Sequence, residues 1–180
     1  MAPKMVDATT GVGIGGPTVD TVARIPSLKL GRYTIENFVA NFSHAKAGVL
    51  SQSDFAGIIG AEILRRFTVT FDYPHQRMIL EPNPMSATPY EFDMSGLFIT
   101  AEAGSFAVFT VRDVIKDSPA MQAGIRGGDV IAAIDGRPAS SFTLEQIRQL
   151  FKESEGQEHS LSVRRDNRVL AVKFRLHRII

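Results

Sequence analysis

The sequence predicts a mainly β protein with a smaller α+β share, arranged in two parts. Several runs alternate apolar and polar residues with a period of two, which is typical of strands with one buried face. Only the segment 143–152 carries a full helical stripe of apolar residues. Pro82, Pro84 and Pro89 lie close together and disfavour a continuous helix or ladder there. We therefore predict a first part over residues 1–82, a proline-rich linker over 83–90 and a second part over 91–180.

The first part reads as β-rich. The segment 28–42 predicts two short strands that turn at Gly31-Arg32, and 44–54 reads as a loop. The segment 57–66 predicts one short helix, and 67–82 alternates as a hairpin that turns over 72–76. The apolar residues expected to face inward are Ile35, Phe38, Ala40, Phe42, Ile63, Leu64, Phe67, Val69, Phe71, Met78 and Leu80.

The second part mixes strands and helices. Strands are predicted over 96–101, 109–115, 129–136, 159–165 and 168–176. A short helix over 118–124 is closed by Gly124, and Ser118 before Pro119 is typical of an N-cap with proline at the first helical position. The helix over 143–152 turns Leu144, Ile147, Leu150 and Phe151 to one side.

The composition excludes several classes of function. The chain has 180 residues, and its 20 basic residues against 19 acidic ones leave a net charge of +1, which gives no indication of a nucleic-acid partner. The absence of cysteine excludes disulfides, thiolate nucleophiles and zinc–thiolate sites. No apolar stretch approaches the roughly 18 residues of a membrane span. The first ten residues lack the apolar core of a signal peptide, so we expect either a cytoplasmic protein or a chain without its leader.

A glycine cluster near the start raises the question of nucleotide binding. Gly11, Gly13 and Gly16 satisfy the spacing G-x-G-x-x-G of a dinucleotide-binding loop. That loop requires a buried strand before the glycines and a helix after them. Here the preceding segment is short and polar, and the following segment 17–25 is rich in β-branched residues without a helical stripe. The sequence therefore excludes nucleotide binding and leaves a surface loop or a hairpin tip.

Three segments of the first part resemble, in order, the later part of a retropepsin-like aspartic protease. These are the glycine cluster, 30–42 and 55–82, and the last of them also resembles the end of a pepsin lobe at Gly60, Leu64, Phe67, Asp72 and Pro82. In that family a glycine-tipped hairpin, the flap, closes over the substrate. The resemblance implies that the flap tip, which contacts the substrate backbone, consists of Gly13, Ile14, Gly15 and Gly16.

Catalysis in this family requires Asp-Thr-Gly or Asp-Ser-Gly, which the chain lacks. Paired carboxylates must share one proton, because two like charges so close together cannot both ionise. No aspartate of the sequence is followed by Thr-Gly or Ser-Gly, and Asp20 in Asp20-Thr21-Val22 is interpreted as a solvent-facing strand residue. We expect no catalytic residue in this chain, no proteolysis by it alone, and a catalytic motif upstream of residue 1. An incomplete lobe also makes homodimerisation through exposed strand edges plausible.

The second part resembles a PDZ domain of the kind appended to bacterial proteases. The residues that carry the resemblance are Ser95-Gly96-Leu97, Ser118-Pro119-Ala120, Ala123-Gly124, Gly128-Asp129-Val130-Ile131 and Ile134-Asp135-Gly136, followed by the helix over 143–151. Such a domain binds an extended peptide as an added strand and holds its terminal carboxylate on backbone N–H groups.

The resemblance implies a set of peptide-binding residues. The amides of Ser95, Gly96 and Leu97 would hold the carboxylate, and Leu97, Ile99 and Phe151 would line the pocket for the last side chain, with Phe98 on the same strand. Leu144 and Arg148 would face the groove from the helix, favouring an apolar residue at the third position from the ligand's end or an acidic residue against Arg148. Several of these apolar residues are equally expected in the core of any such module.

The remaining acidic residues and histidines give little indication of metal binding or of a cofactor. Asp129 and Asp135 lie in "GD" and "DG" turns, where they are expected to bond local backbone. His44, His75, His159 and His177 are scattered without ligand spacing, so we expect no metal site and no cofactor. We interpret the chain as the C-terminal part of an aspartic endopeptidase that binds peptides or protein C-termini without cleaving them. The alternative is a non-catalytic interaction protein whose first part serves only for dimerisation. Resemblance to envelope proteases favours a periplasmic or secreted location.

Overall fold

The computed structural model describes residues 4–13, 16–46, 51, 54, 56–102 and 104–180. It confirms the predicted class, because the protein is mainly β and the strands within these residues form three open sheets. No described helix has the length and apolar character needed to cross a membrane. The chain divides into two compact units, one of residues up to His44 together with Glu91–Ile180, and one of Ala45–Tyr90. This division differs from the predicted one, since the first strands and the last ninety residues fall in the same unit.

A three-stranded antiparallel sheet opens the chain. Its strands are β1 (Met5–Gly13), β2 (Gly16–Leu30) and β3 (Tyr33–Phe42), with β2 in the middle. Gly13 pairs with Gly16, so the glycine cluster ends a hairpin of two antiparallel strands, whereas the predicted tip residues Ile14 and Gly15 lie outside the described residues. Because a strand follows the glycines, the strand–helix geometry of a dinucleotide loop is not formed.

One polar residue of this sheet lies where the sequence did not place it. Asp20, expected to face solvent, is only 6% exposed, and its Oδ2 accepts a hydrogen bond of 2.6 Å from the Thr10 hydroxyl. Its Oδ1 has no hydrogen-bond partner within the described part of the chain. The prediction was wrong because the cross-strand neighbour Thr10, ten positions away, supplies a donor that a single strand's pattern does not reveal.

The unit Ala45–Tyr90 holds a short helix and a hairpin. Helix α1 (Ala61–Leu64) is followed by β4 (Phe67–Asp72) and β5 (Arg77–Pro82), as the alternation predicted. Arg66 is only 2% exposed, and its guanidinium donates to the carbonyls of Met85, Thr88 and Pro89. The segment predicted as a linker is therefore bound to this unit, and its residues Pro84–Ala87 form a 3-10 helix.

The largest sheet has six strands, in the order β11-β10-β8-β7-β6 with β9 beside β8. The strands are β6 (Leu97–Glu102), β7 (Ser105–Val114), β8 (Val130–Ile134), β9 (Arg137–Pro138), β10 (Glu158–Arg165) and β11 (Arg168–Arg175). Helices α2 (Pro119–Gln122) and α3 (Leu144–Leu150) accompany it. Its core includes the fully buried side chains of Phe109, Ile134, Ile147 and Phe151.

Both predicted helix starts are present. Ser118 accepts a hydrogen bond from the Met121 amide at the start of α2, where Pro119 occupies the first position. Thr143 and Gln146 form a capping box at the start of α3. This cap fixes the rotation of α3 with Ile147 in the core and Arg148 facing outward.

Candidate functional site

The site begins with a free strand edge. Strand β6 ends the six-stranded sheet and pairs only with β7 among the described strands. The N–H of Val111 donates to the Asp129 carbonyl and its own carbonyl accepts from the Gly128 amide, both at 2.8 Å, so these groups of Val111 point away from β6. Ile99, which pairs with Val111, therefore presents its own N–H and C=O to the free edge. An extended peptide can pair there.

Helix α3 provides the opposite wall of a groove along this edge. The guanidinium of Arg148 donates to the Ile99 carbonyl at 3.4 Å, which links the helix to the outward-facing side of β6. Lys152 follows Arg148 by four positions and lies in the turn directly after α3. Both cations line the same cavity. An edge carbonyl that an added strand would use is thus already paired with a side chain.

A tight loop precedes β6, and a carboxylate of the chain itself fills it. Asp93 Oδ1 accepts hydrogen bonds from the amides of Ser95 and Gly96, at 2.8 and 2.6 Å, and from the Ser95 hydroxyl at 2.6 Å. The Leu97 amide donates to the Ser95 hydroxyl oxygen at 3.1 Å. Burial raises the pKa of Asp93 to about 6, although these hydrogen bonds act in the opposite direction.

Gly96 allows this loop to lie against the start of α2. Its φ is +82°, and a Cβ at this position would lie 2.2 Å from the Cβ of Ser118. The Gly96 carbonyl accepts from the Ile115 amide at 2.8 Å, and the Ser95 carbonyl accepts from the Ala120 amide at 3.0 Å. The loop is therefore held rigidly, and only glycine fits its tightest point.

A cavity of about 340 Å³ lies at this loop and strand edge. Apolar atoms come from Leu97, Ile99 and Ile115, and β1 contributes Ala8, Thr9 and Thr10 to the wall. The Thr9 hydroxyl donates to Asp113 Oδ2 at 2.5 Å, which ties β1 to β7 beside the cavity. The charged residues around it are Asp93, Asp113, Arg148 and Lys152. The cavity thus combines an apolar floor with two cations on one side.

The structure brings together only part of the predicted peptide site. Leu97, Phe98, Ile99 and Arg148 line the cavity, and Ser95 and Gly96 form the loop beside it. Phe151 lies elsewhere, because it is fully buried. Its ring centroid is 5.5 Å from that of His159 and 5.8 Å from that of Phe174. Leu144 packs against the same core and does not line the cavity.

Several residues of the site were missed from the sequence. Asp93 precedes Ser95 by two positions, a spacing at which aspartate bonds backbone amides, so this signal was available. Lys152 could also have been found from the sequence, because it follows Arg148 by four positions within the predicted helix 143–152. The part played by Thr9 and Asp113 had no local signal, since they are 104 positions apart. The described residues hold no cluster of three or more histidine or acidic side chains that could bind a metal.

Comparisons with known proteins identify a PDZ domain in the second part of the chain. Residues 110–165 match the PDZ domain family. The chain is 25% identical over 179 residues to a probable CtpA-like serine protease of Staphylococcus haemolyticus, covering 97% of this chain but 33% of that protein. The chain thus spans about a third of the length of this curated relative.

Two solved structures of similar proteins are an HtrA-type protease, AlgW, with a decapeptide, and a serine endoprotease from Yersinia pestis. The first is 20% identical with a TM-score of 0.46, and covers 96% of this chain and 59% of its own. The second is 18% identical with a TM-score of 0.46, and covers 99% of this chain and 64% of its own. The curated relative is named as a serine protease, so the aspartic-protease resemblance of the first part finds no support in it. The predicted PDZ domain, by contrast, is confirmed: the chain contains one.

Proposed function

We propose that the region Glu91–Ile180 binds an extended peptide by strand addition at the free edge of β6. The observation that carries this proposal is the outward orientation of the Ile99 N–H and C=O, beside a cavity and opposite α3. Backbone pairing supplies affinity in this binding mode, and pockets for alternate side chains supply specificity. The ligand's amide replaces Arg148 as the donor to the Ile99 carbonyl.

The charges of the groove favour a particular ligand class. Leu97, Ile99 and Ile115 offer an apolar surface, while Arg148 of α3 and Lys152 of the turn after it line the same cavity. Because Leu144 packs against the core and does not line the cavity, we do not expect it to select an apolar residue at the third position from the ligand's end. We infer that the groove prefers a peptide with one apolar anchor and an acidic residue within reach of the two cations.

A scan of N-methylated peptides tests strand addition without altering the protein. In a strand, alternate amides point to the same side, so methylating every second amide removes hydrogen bonds and methylating the others does not. We expect losses of affinity with a period of two along an eight-residue peptide, each of about fivefold or more. The non-methylated peptide and its scrambled form are the controls. Uniform losses at all positions, or none, would refute strand addition.

The protease context supports a role in substrate capture. The relatives are proteases, and this chain covers only part of their length. We propose that the groove tethers substrate segments or regulates access in a longer peptidase. The rival is an interaction protein that binds peptides and cleaves none. A casein cleavage assay on the native protein that contains this sequence distinguishes the two. Cleavage that falls when a peptide that binds at the β6 edge is added supports the first, and absence of cleavage supports the second.

A second candidate concerns the catalytic type, and rests on the first part of the chain. The hairpin β1–β2 ends in Gly13 and Gly16, and α1, β4 and β5 follow in the order that an aspartic protease lobe requires. The relatives named above are serine-type and give this candidate no support. Inhibition of the native protein's cleavage by a pepstatin-type inhibitor supports the aspartic type. Inhibition by a fluorophosphonate, which labels nucleophilic serine, supports the serine type instead.

A further inference from the structure

Asp93 occupies the position that a ligand's terminal carboxylate needs. The amides of Ser95 and Gly96, which the PDZ resemblance assigns to the ligand, both donate to Asp93 Oδ1 within 2.8 Å. The third predicted amide, that of Leu97, donates to the Ser95 hydroxyl oxygen, and that hydroxyl donates in turn to the same Asp93 oxygen. All three predicted donors therefore already have acceptors within the chain.

A second carboxylate cannot share this loop while Asp93 is ionised. Each N–H has one hydrogen to donate, so a ligand oxygen must displace the Asp93 oxygen that now holds it. Two carboxylates at one set of amides also repel each other, and one of them must be neutral. An extended segment that continues past the loop brings no such charge and pairs with β6 alone.

We propose that Asp93 is a resident carboxylate that decides which ligands the groove accepts. With Asp93 ionised, the groove takes internal extended segments, and it admits a free C-terminus only when Asp93 is neutral. This inference rests on the proposed strand addition at β6 and names the ligand class of that same groove. It differs from the expectation that the amides of Ser95, Gly96 and Leu97 hold the ligand's terminal carboxylate.

The surroundings of Asp93 give this selection a pH dependence. The charged groups that face the cavity beside it are Asp113 from β7, Arg148 from α3 and Lys152 from the turn after α3. The two cations attract a ligand carboxylate at every pH at which they stay protonated, whereas Asp113 and ionised Asp93 repel it. Because burial holds the pKa of Asp93 near 6, Asp93 becomes neutral on mild acidification, well above the pH at which a peptide's terminal carboxyl protonates.

The rival explanation is that Asp93 only shapes the loop. An aspartate that bonds the amides two and three positions ahead is a common turn device. In that case the ligand's terminal carboxylate uses other donors, and its affinity is indifferent to the charge of Asp93. The two explanations differ in one measurable quantity, the affinity of a free-acid peptide divided by that of its C-terminal amide.

The experiment measures this acid-to-amide affinity ratio by calorimetry at about pH 5 and about pH 7.5. The peptide is N-acetylated and contains no histidine or acidic residue, so its only titrating group is the terminal carboxyl, with a pKa of roughly 3.5. The proteins are the wild type, Asp93→Ala, Asp93→Asn and the control Asp113→Asn, which neutralises the other carboxylate of the cavity. Asp93→Asn keeps an oxygen for the loop amides and so guards against misfolding of the alanine variant.

We expect a wild-type ratio near one at about pH 7.5 that rises about fivefold or more at about pH 5. Asp93→Ala raises the ratio about tenfold at the higher pH, because charge-assisted hydrogen bonds to the ligand become available. Asp93→Asn abolishes the pH dependence, and Asp113→Asn retains it. A tenfold preference of the wild type for the free acid at about pH 7.5, unchanged in both Asp93 variants, overturns the proposal while leaving strand addition intact. Failure of the amide peptide to bind the wild type at either pH overturns strand addition and this inference together.

Discussion

The ion pair between Asp129 and Arg165 offers the sharpest test of what holds the six-stranded sheet together. Asp129 is 1% exposed, and Arg165 binds it in a bidentate arrangement with N···O distances of 2.6 and 2.7 Å. The Arg126 amide donates a further hydrogen bond of 2.9 Å to the carboxylate. Arg165→Ala removes the first two of these three hydrogen bonds and leaves a buried charge.

The expected cost follows from this geometry. Removing one partner of a fully buried ion pair typically costs roughly 3–5 kcal/mol, because the remaining buried charge has lost its counter-charge. The Arg165 side chain is 24% exposed, so water can partly solvate the carboxylate after the substitution. We therefore expect a loss of about 2–4 kcal/mol in the free energy of unfolding.

The pH dependence provides an independent check. Burial alone would raise the pKa of Asp129, but the hydrogen bonds from Arg165 and from the Arg126 amide, with the charges of both arginines, lower it overall. In the wild type this pair therefore contributes stability above the unfolded-state pKa of roughly 3.9, which is lost as the pH falls through the lower folded-state value. The penalty of Arg165→Ala should accordingly shrink below about pH 4, where Asp129 begins to protonate in the variant.

The assay is urea unfolding followed by far-ultraviolet circular dichroism, with a matched control. Arg175 lies on the neighbouring strand and pairs with Glu158 at 3.6 Å, but its side chain is 69% exposed. We expect Arg175→Ala to cost less than about 0.5 kcal/mol, as is typical of surface ion pairs. Equal, small effects of the two arginine substitutions would refute the reasoning.

Three further substitutions test the loop, the small unit and the helix cap. Gly96→Ala should lower the free energy of unfolding by about 3 kcal/mol or more, because its Cβ would overlap the N-cap side chain of α2. The control Gly104→Ala has a similar φ of +84° but open space around it, and it should lower the free energy of unfolding by about 1 kcal/mol. Arg66→Ala removes the guanidinium that donates to the carbonyls of Met85, Thr88 and Pro89, and it should speed chymotrypsin cleavage within Ala45–Tyr90 at least about tenfold. The half-exposed Arg65→Ala should not change the cleavage rate, and equal rates for the two variants would contradict the anchoring role of Arg66. Thr143→Ala removes the capping box of α3 and should lower the urea-unfolding free energy by about 1 kcal/mol, and an unchanged midpoint would show that the cap is dispensable.

The elements set by local patterns were predictable from the sequence. The turn at Gly31-Arg32, the hairpin over 67–82 and the cap at Thr143 follow from residues within a few positions of one another. Each depends on alternation, turn chemistry or side-chain capping, which act over short stretches of chain.

The features that failed prediction depend on contacts between distant residues. Asp20 is buried, and its hydrogen-bond donor Thr10 lies on the neighbouring strand. Asp129 accepts from the nearby Arg126 amide, as predicted, but its ion pair with Arg165, 36 positions away, was not predicted. Phe151 fits the apolar stripe of α3 equally well as a pocket residue or as a core residue, and only the aromatic cluster with Phe174 decides between them. Hydrophobic periodicity identifies a buried face but not which element covers it.

Asp93 illustrates a different limit. Its spacing to Ser95 and Gly96 was readable, but the sequence does not reveal that one carboxylate oxygen takes the hydrogen bonds that a ligand would use. The proposal that the groove takes extended segments at neutral pH depends on the positions of these three donors.

The central claim, peptide binding at the free edge of β6, is tested most directly by nuclear magnetic resonance. Backbone amide shifts of the labelled chain would be followed during titration with an amidated eight-residue peptide containing one apolar and one acidic residue. We predict the largest shift changes at Leu97–Glu102 and at Arg148, with protection of the Ile99 amide from solvent exchange. Shift changes confined to other strands, or none at peptide concentrations of about 1 mM, where even a binding energy of roughly −4 kcal/mol is detectable, would contradict the account.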